Sequence, residues 1–174
     1  SVTARTAGFN TVDTGVLTEG SKFVTILLMF VGGSPGSTAG GIKTTTLIVL
    51  LVCVRSNMRQ EKGYNILDRR LDEEVVRKAC TVMCTNLLLM LTATIVMLVL
   101  QPFALTDVLF ETASAIGTVG MTTGITRSIC SISKAVLIFL MYCGRIGSLT
   151  FALSLRGNKH EPAVKQPVEQ VMIG

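Results

Sequence analysis

The hydrophobic positions of this chain fall in long blocks, unlike the evenly spaced pattern of a soluble domain. The longest block, Ala79 to Leu100 (ACTVMCTNLLLMLTATIVMLVL), holds no charged residue over 22 positions. At about 1.5 Å per residue it covers the roughly 30 Å hydrocarbon core of a bilayer, which predicts a transmembrane helix. Pro102 ends that helix, Thr106 or Asp107 offers a cap for a new one, and Val108 to Ala115 is too short to span. Two other apolar blocks each open on a lysine, at Lys22 and at Lys134, and a further one, IKTTTLIVLLVCVR, runs from Ile42 to Arg55.

The two lysine-led blocks are copies. At an offset of 112 residues, without gaps, KFVTILLMFVGG (Lys22 to Gly33) falls on KAVLIFLMYCGR (Lys134 to Arg145), with six of twelve positions identical. In the same register TAGFNT (Thr6 to Thr11) falls on TVGMTT (Thr118 to Thr123). Internal duplication of this kind marks channel and transporter architectures. Each unit runs from a Thr-x-Gly segment through a polar connection into an apolar helix. The second unit also shows what comes before: a spanning helix and a short re-entrant helix. The expected fold is therefore an all-α membrane protein of helix, pore helix, filter loop and helix repeats. Residues 1–58 form a partial unit, 59–78 a connection, 79–158 a complete unit and 159–174 a tail. The chain opens on Ser1, with neither an initiator Met nor a signal peptide, which predicts a start inside a larger protein.

Charge orients this arrangement. The net charge of +5 invites a nucleic-acid reading, but the basic residues flank the apolar blocks and are not interleaved with aromatics. Arg55, Arg59, Lys62, Arg69, Arg70, Arg77 and Lys78 lie in one polar stretch, and Arg156, Lys159 and Lys165 lie in the tail. Positive charge beside spans faces the cytoplasm. The prediction is a multi-pass protein of the cell membrane, with loop 55–78 and the C-terminus cytoplasmic and the connections 11–21 and 123–133 outside. The five cysteines form neither a disulfide framework nor a zinc pattern, and the single His160 lies in a polar tail.

Backbone at membrane depth that is not helical leaves carbonyls unpaired, and is tolerated only where it lines a cavity or meets protein. A ring of such carbonyls can replace the hydration shell of K⁺, and the channel version reads Thr-Val-Gly-Tyr-Gly. TVGMTTG from Thr118 carries its first three residues, after a short helix, between two apolar helices, and is echoed by Thr6-Ala7-Gly8.

The stretch GGSPGSTAGGIKTTT, Gly32 to Thr46, imitates a phosphate-binding loop. The gap from Gly36 to Gly41 fits, but Ile42 separates the glycine from Lys43, and the preceding segment is a duplicated apolar helix. A helix broken inside the membrane explains it better, since each Gly costs about 1 kcal/mol and each Pro about 3 in a helix interior. The repeat also singles out Arg145, which replaces Gly33 in an apolar helix. A charge at that depth normally faces a pore or a partner, and the carbonyls of the broken loop 32–41 are the natural acceptors.

With TAGFNT, GGSPGSTAGGIKT, TVGMTTG and GRIGSLT in this order, the chain resembles potassium transporters of the Trk/Ktr/HKT superfamily, most like the Ktr membrane subunit. The likeness covers essentially the whole chain. It implies four non-identical repeats around one pore, of which this sequence would hold most of the third and all of the fourth. A repeat of 112 residues then implies a parent of roughly 450 residues, if four repeats close the ring. By this resemblance the carbonyls of Thr6, Ala7, Gly8 and Phe9 and of Thr118, Val119, Gly120 and Met121 would contribute to K⁺ sites. The segment Gly32, Gly33, Ser34, Pro35, Gly36, Ser37, Thr38, Ala39, Gly40 and Gly41 would be an intramembrane gate below the filter, with Arg145 holding it. The transported ion would be potassium, with sodium a candidate coupling or activating ion. The implied partners are membrane lipid, a second copy of the full-length subunit, and a cytosolic nucleotide-binding ring of the RCK type. No enzymatic activity is expected. The competing readings are a membrane protein that uses Gly36 to Thr44 to bind nucleotide, and a structural subunit that does not conduct.

Overall fold

The computed structural model describes residues 3–9, 13–37, 40–59, 63–66 and 69–146. Five helices carry the architecture: α1 (Glu19–Phe30), α2 (Thr44–Met58), α3 (Glu73–Leu100), α4 (Leu105–Ile116) and α5 (Ser131–Ile146). A two-stranded antiparallel ribbon, β1 (Tyr64–Ile66) with β2 (Arg69–Leu71), joins α2 to α3 and pairs Tyr64 with Leu71. The helical character follows the sequence expectation; the ribbon in the polar connection is an addition to it. It is tied back to α2 by the Ser56 hydroxyl, which donates to the Gly63 carbonyl at 2.8 Å. A hydrogen bond with Cys53 is also the main cause that raises the Tyr64 phenol above its ordinary pKa.

Local chemistry sets the helix limits. The Thr18 side chain caps α1, accepting from the Ser21 N–H at 3.4 Å, with Glu19 in the first turn where the helix dipole favours an acid. At α3 the carboxylate of Asp72 accepts from the Glu74 N–H, so the helix starts at Glu73, six residues before the apolar block. Its polar first turns extend beyond the segment a bilayer core requires. Among the described residues α3 is the one helix long and apolar enough to cross a membrane. The cap expected at Thr106 or Asp107 is not used. Ala104 stands at the N-cap of α4 without a side-chain bond, and Asp107 is turned to another purpose described below.

The short α4 is the centre of the fold. It packs against α1, α3 and α5, and every residue from Phe110 to Ile116 is buried. Phe110, Val108, Ala113 and Ile116 join Met29 of α1, Met97 of α3 and Leu137 and Leu140 of α5 in one apolar cluster. Inside it the hydroxyls of Thr94 and Thr112 meet at 3.0 Å, so these two buried hydroxyls satisfy one another. The opposite faces of α3 and α5 show Leu88, Ile95, Val99, Ile132 and Ile138 to the surroundings. A helix pair apolar on both faces suits a lipid environment. Gln101 ties the far ends of α3 and α5 together, accepting from the Cys130 N–H at 2.9 Å.

Candidate functional site

The two Thr-x-Gly loops have the same backbone signature. Thr6 and Gly8 have φ of 72° and 71°, and their repeat counterparts Thr118 and Gly120 have 52° and 87°. No other described non-glycine residue has positive φ, so Ala7 and Val119 between them lie on the ordinary side. Thr in the left-handed region is strained, and such strain persists only where the surroundings impose it. Alternating hands along a loop turn successive carbonyls toward one side, the carbonyl counterpart of an anion nest. The loops also meet: a methyl group placed on Gly8 would lie 2.9 Å from the Val119 carbonyl oxygen.

The second loop leaves the C-terminal end of α4, where unpaired carbonyls give a partial negative charge that favours cations. Three hydrogen bonds seat its start and middle. The Thr118 and Val119 N–H groups donate to the carbonyls of Ala115 at 3.1 Å and Ser114 at 2.9 Å. The Ser114 hydroxyl donates to the Met121 carbonyl at 2.6 Å. Of the four carbonyls expected to face an ion from this loop, that of Met121 is therefore engaged by α4. Further out, the buried Glu111 accepts from the Thr122 hydroxyl, from the Thr123 N–H at 3.1 Å and from the Thr126 hydroxyl at 3.0 Å.

The polar connections that follow the two Thr-x-Gly loops touch. The Thr14 hydroxyl donates to the Thr122 carbonyl, and Gly15 comes within one methyl group of the Thr123 carbonyl. One turn into α1 the buried Lys22 reaches across to α4, its ammonium 2.9 Å from Asp107 and 3.5 Å from Glu19. This pair spans 85 residues of sequence and fastens the first unit to α4 of the second.

The glycine-rich segment packs against the start of the second Thr-x-Gly loop. α1 stops at Phe30 and α2 resumes at Thr44. The ends are pinned by bonds from Gly32 N–H to Ile42 carbonyl at 2.8 Å, Ile42 N–H to Phe30 carbonyl at 3.3 Å and Thr44 N–H to Gly33 carbonyl at 3.2 Å. At its tip the Ser37 N–H returns to the Ser34 carbonyl around Pro35 and Gly36, whose φ of 82° makes the type II turn that this pair favours. Gly40 and Gly41 lie against the second loop. A methyl on Gly40 would sit 2.5 Å from the Thr118 hydroxyl and 2.8 Å from the Gly117 carbonyl, and one on Gly41 would sit 3.5 Å from the Gly117 α-carbon. Lys43 donates to the Ser37 carbonyl at 3.2 Å, closing the loop on itself.

The structure thus brings together Gly8, Val119, Gly40, Gly41 and Thr118. Phe9 stands largely exposed, and Arg145 lies in the last described turn of α5, also exposed, one residue beyond the buried Gly144. Thr38 and Ala39 lie outside the described residues, as do Gly147 to Thr150 of the GRIGSLT motif. Sequence reasoning assigned no role to Glu111 and gave Lys22 no partner. The signal for both was present, since Asp107 and Glu111, one turn apart, are the only acids in a segment too short to span, and ionisable groups at membrane depth usually carry function.

A short buried helix thus ends in a left-handed Thr-x-Gly loop, against a second such loop and the interruption between α1 and α2. Residues 1–162 match the TrkH family, described as cation transport proteins. The chain belongs to that family, which consists of transporters and not enzymes, and it is part of a membrane protein. It is 37% identical over its whole length to the Ktr system potassium uptake protein B of Bacillus subtilis, covering 39% of that protein. The potassium/sodium uptake protein NtpJ of Enterococcus hirae is 37% identical, with all of this chain aligned to 40% of its length. The Ktr system potassium uptake protein B of Vibrio alginolyticus is 34% identical, with 38% covered. The chain spans about two fifths of the length of these relatives.

Proposed function

We propose that this chain forms part of the pore of a potassium uptake system and supplies two of its filter loops and its gate. The observation that carries this reading is the matched pair of left-handed Thr-x-Gly loops, equivalent in the internal repeat, with Gly8 against the Val119 carbonyl. Carbonyls of Thr6, Ala7, Gly8 and Phe9 and of Thr118, Val119 and Gly120 contribute to K⁺ sites. Met121 contributes with the lone pair that Ser114 leaves free. Glycine at 8 and 120 suits K⁺, because a side chain on a left-handed residue disturbs the carbonyl array.

In this reading the loop 32–41 lies on the cytoplasmic side of the filter and obstructs the path when closed. The seat of Gly40 under Thr118 supports that placement, and Arg145 is the candidate latch. The outer connections at Thr14 and Thr122 face outside, and the basic stretch 55–78, including the ribbon, faces the cytoplasm. The complete subunit closes a ring with further repeats, pairs with a second copy and takes its regulation from a cytosolic nucleotide-binding ring that would meet the 55–78 connection. Sodium is a candidate coupling or activating ion, in keeping with the name of the Enterococcus relative.

The test is K⁺ and Na⁺ uptake by the full-length subunit carrying Gly8→Ser or Gly120→Ser in cells that lack other potassium uptake. Both variants are expected to lose discrimination against Na⁺. Wild-type preference in both, at equal expression, would remove the filter assignment.

A further inference from the structure

We infer that Glu111 is the positioning residue that shapes the outer half of the second filter loop and thereby sets its preference among cations. The inference rests on the filter reading above.

Glu111 is only 5% exposed, on the most buried helix of the fold. A carboxylate there is costly unless its oxygens are satisfied. All three of its described donors come from the segment just beyond the filter: the Thr122 hydroxyl, the Thr123 N–H and the Thr126 hydroxyl. An ionised carboxylate is an acceptor only, and three donors aimed at it make a fitted socket. The Thr122 and Thr126 hydroxyl oxygens lie 2.7 Å apart, and Thr122 receives the Gly124 N–H at 2.9 Å, so the carboxylate organises the whole turn. The neighbouring Asp107 is paired with Lys22, whose ammonium is directed to Asp107 and Glu19. Glu111 is thus committed to the loop and not to the inter-unit ion pair.

Two further features make these bonds decisive for filter shape. Ser114, three residues along the same helix face, holds the Met121 carbonyl, so α4 grips the loop on both sides of Met121. Beside them a cavity of about 500 Å³ opens between the loop and α5, lined by Glu111, Ser114, Gly120, Thr122, Thr126 and Leu137. On that side the loop is not wedged by side chains. Hydrogen bonds to α4 set its position, and a shift at Thr122 is passed directly to the Gly120 and Met121 carbonyls.

Glu111→Met keeps much of the volume but removes both acceptor oxygens, so it can serve none of Thr122, Thr123 and Thr126. In the full-length subunit its K⁺/Na⁺ preference is expected to fall several-fold, with the KM for K⁺ rising more than the maximal rate falls. Thr126→Val, which removes a single donor, is expected to shift preference in the same direction by less. Expression and detergent-solubilised thermal stability are measured alongside. Wild-type ion preference and KM in both variants would overturn the proposal. So would a loss of folded protein with unchanged preference in what remains, because that outcome belongs to a purely structural carboxylate. Gly120→Ser in the same assay separates the two readings. If it changes preference and the Glu111 and Thr126 variants do not, only the role of Glu111 falls. If none of the three changes it, the filter reading itself fails.

Discussion

The stretches Lys22–Gly33 and Lys134–Arg145 began as the same sequence and ended as different structures. Both are helical from their lysine onward. The first stops at Phe30 and folds into a loop, whereas the second continues through Gly144 and Arg145 to Ile146. Gly32 and Gly144 are equivalent in the repeat, and each permits a backbone contact that no side chain would allow. A methyl at Gly32 would lie 2.2 Å from the Gly40 carbonyl, and one at Gly144 would lie 2.0 Å from the Ile116 carbonyl. The shared glycine therefore serves close approach in both units, but to a loop in one and to the end of α4 in the other. What separates them is the next few residues: Gly33, Pro35 and Gly36 against Arg145 and Ile146. Duplication kept the frame, and divergence at one junction made a candidate moving part.

The strongest way to break this comparison is to remove the glycines. Gly144→Ala drives a methyl into the backbone of the central helix, and overpacking of this kind costs about 1–3 kcal/mol or more. Thermal unfolding should show a large loss, greater than for Gly32→Ala, whose obstacle is a loop that can yield. Equal losses would mean that the two contacts are held with the same rigidity. Next in size is Arg145→Ala. If Arg145 latches the loop, losing one charge-assisted hydrogen bond of about 1.5 kcal/mol raises Rb⁺ flux roughly tenfold, with ion preference intact. Deleting Ser34 to Ala39 should act in the same direction, and unchanged or reduced flux in both would make the break a packing feature.

The glycines of the proposed filter sharpen the comparison at a smaller scale. Gly8→Ser should lower K⁺/Na⁺ preference more than Gly120→Ser, because Gly8 faces the Val119 carbonyl and Gly120 has open space around its α-carbon. Reversal potentials measured in the two variants check the order. Smallest is Lys22→Met, which unties the first unit from α4 and leaves both filter loops chemically intact. It should lower the thermal midpoint modestly, and Asp107→Asn should lower it no further when added to Lys22→Met, as expected for two halves of one contact.

Much of this was legible before any coordinates. The block length of 79–100, the 112-residue offset and the glycines with Pro35 placed the long helix, the paired loops and the broken helix, because each is a local consequence of hydropathy or backbone freedom. The carboxylate of Glu111 and the reach of Lys22 to Asp107 were not assigned, because their partners are fixed by how α4 is packed and not by sequence spacing. The entry to α3 was misplaced by six residues for a related reason. Hydropathy marks where lipid begins, whereas Asp72 marks where the helix begins. The ribbon at 64–71 was missed because three-residue strands carry too short a pattern to register.

The burial of α4 has a consequence for the order in which the protein is made. Of the three helices that enclose it, α1 and α3 precede it in the chain and only α5 follows. By the time α4 is synthesised, α1 and α3, which form two walls of its slot, have already been made, and α1 carries the Lys22 that pairs with Asp107. A helix too short to span and carrying two acids would be a poor client for insertion by itself. In chain order it follows the two helices that form its first walls, and α5 closes the third side. An internal duplication suits such an order, because α1 of the earlier unit is itself one wall for α4 of the later one.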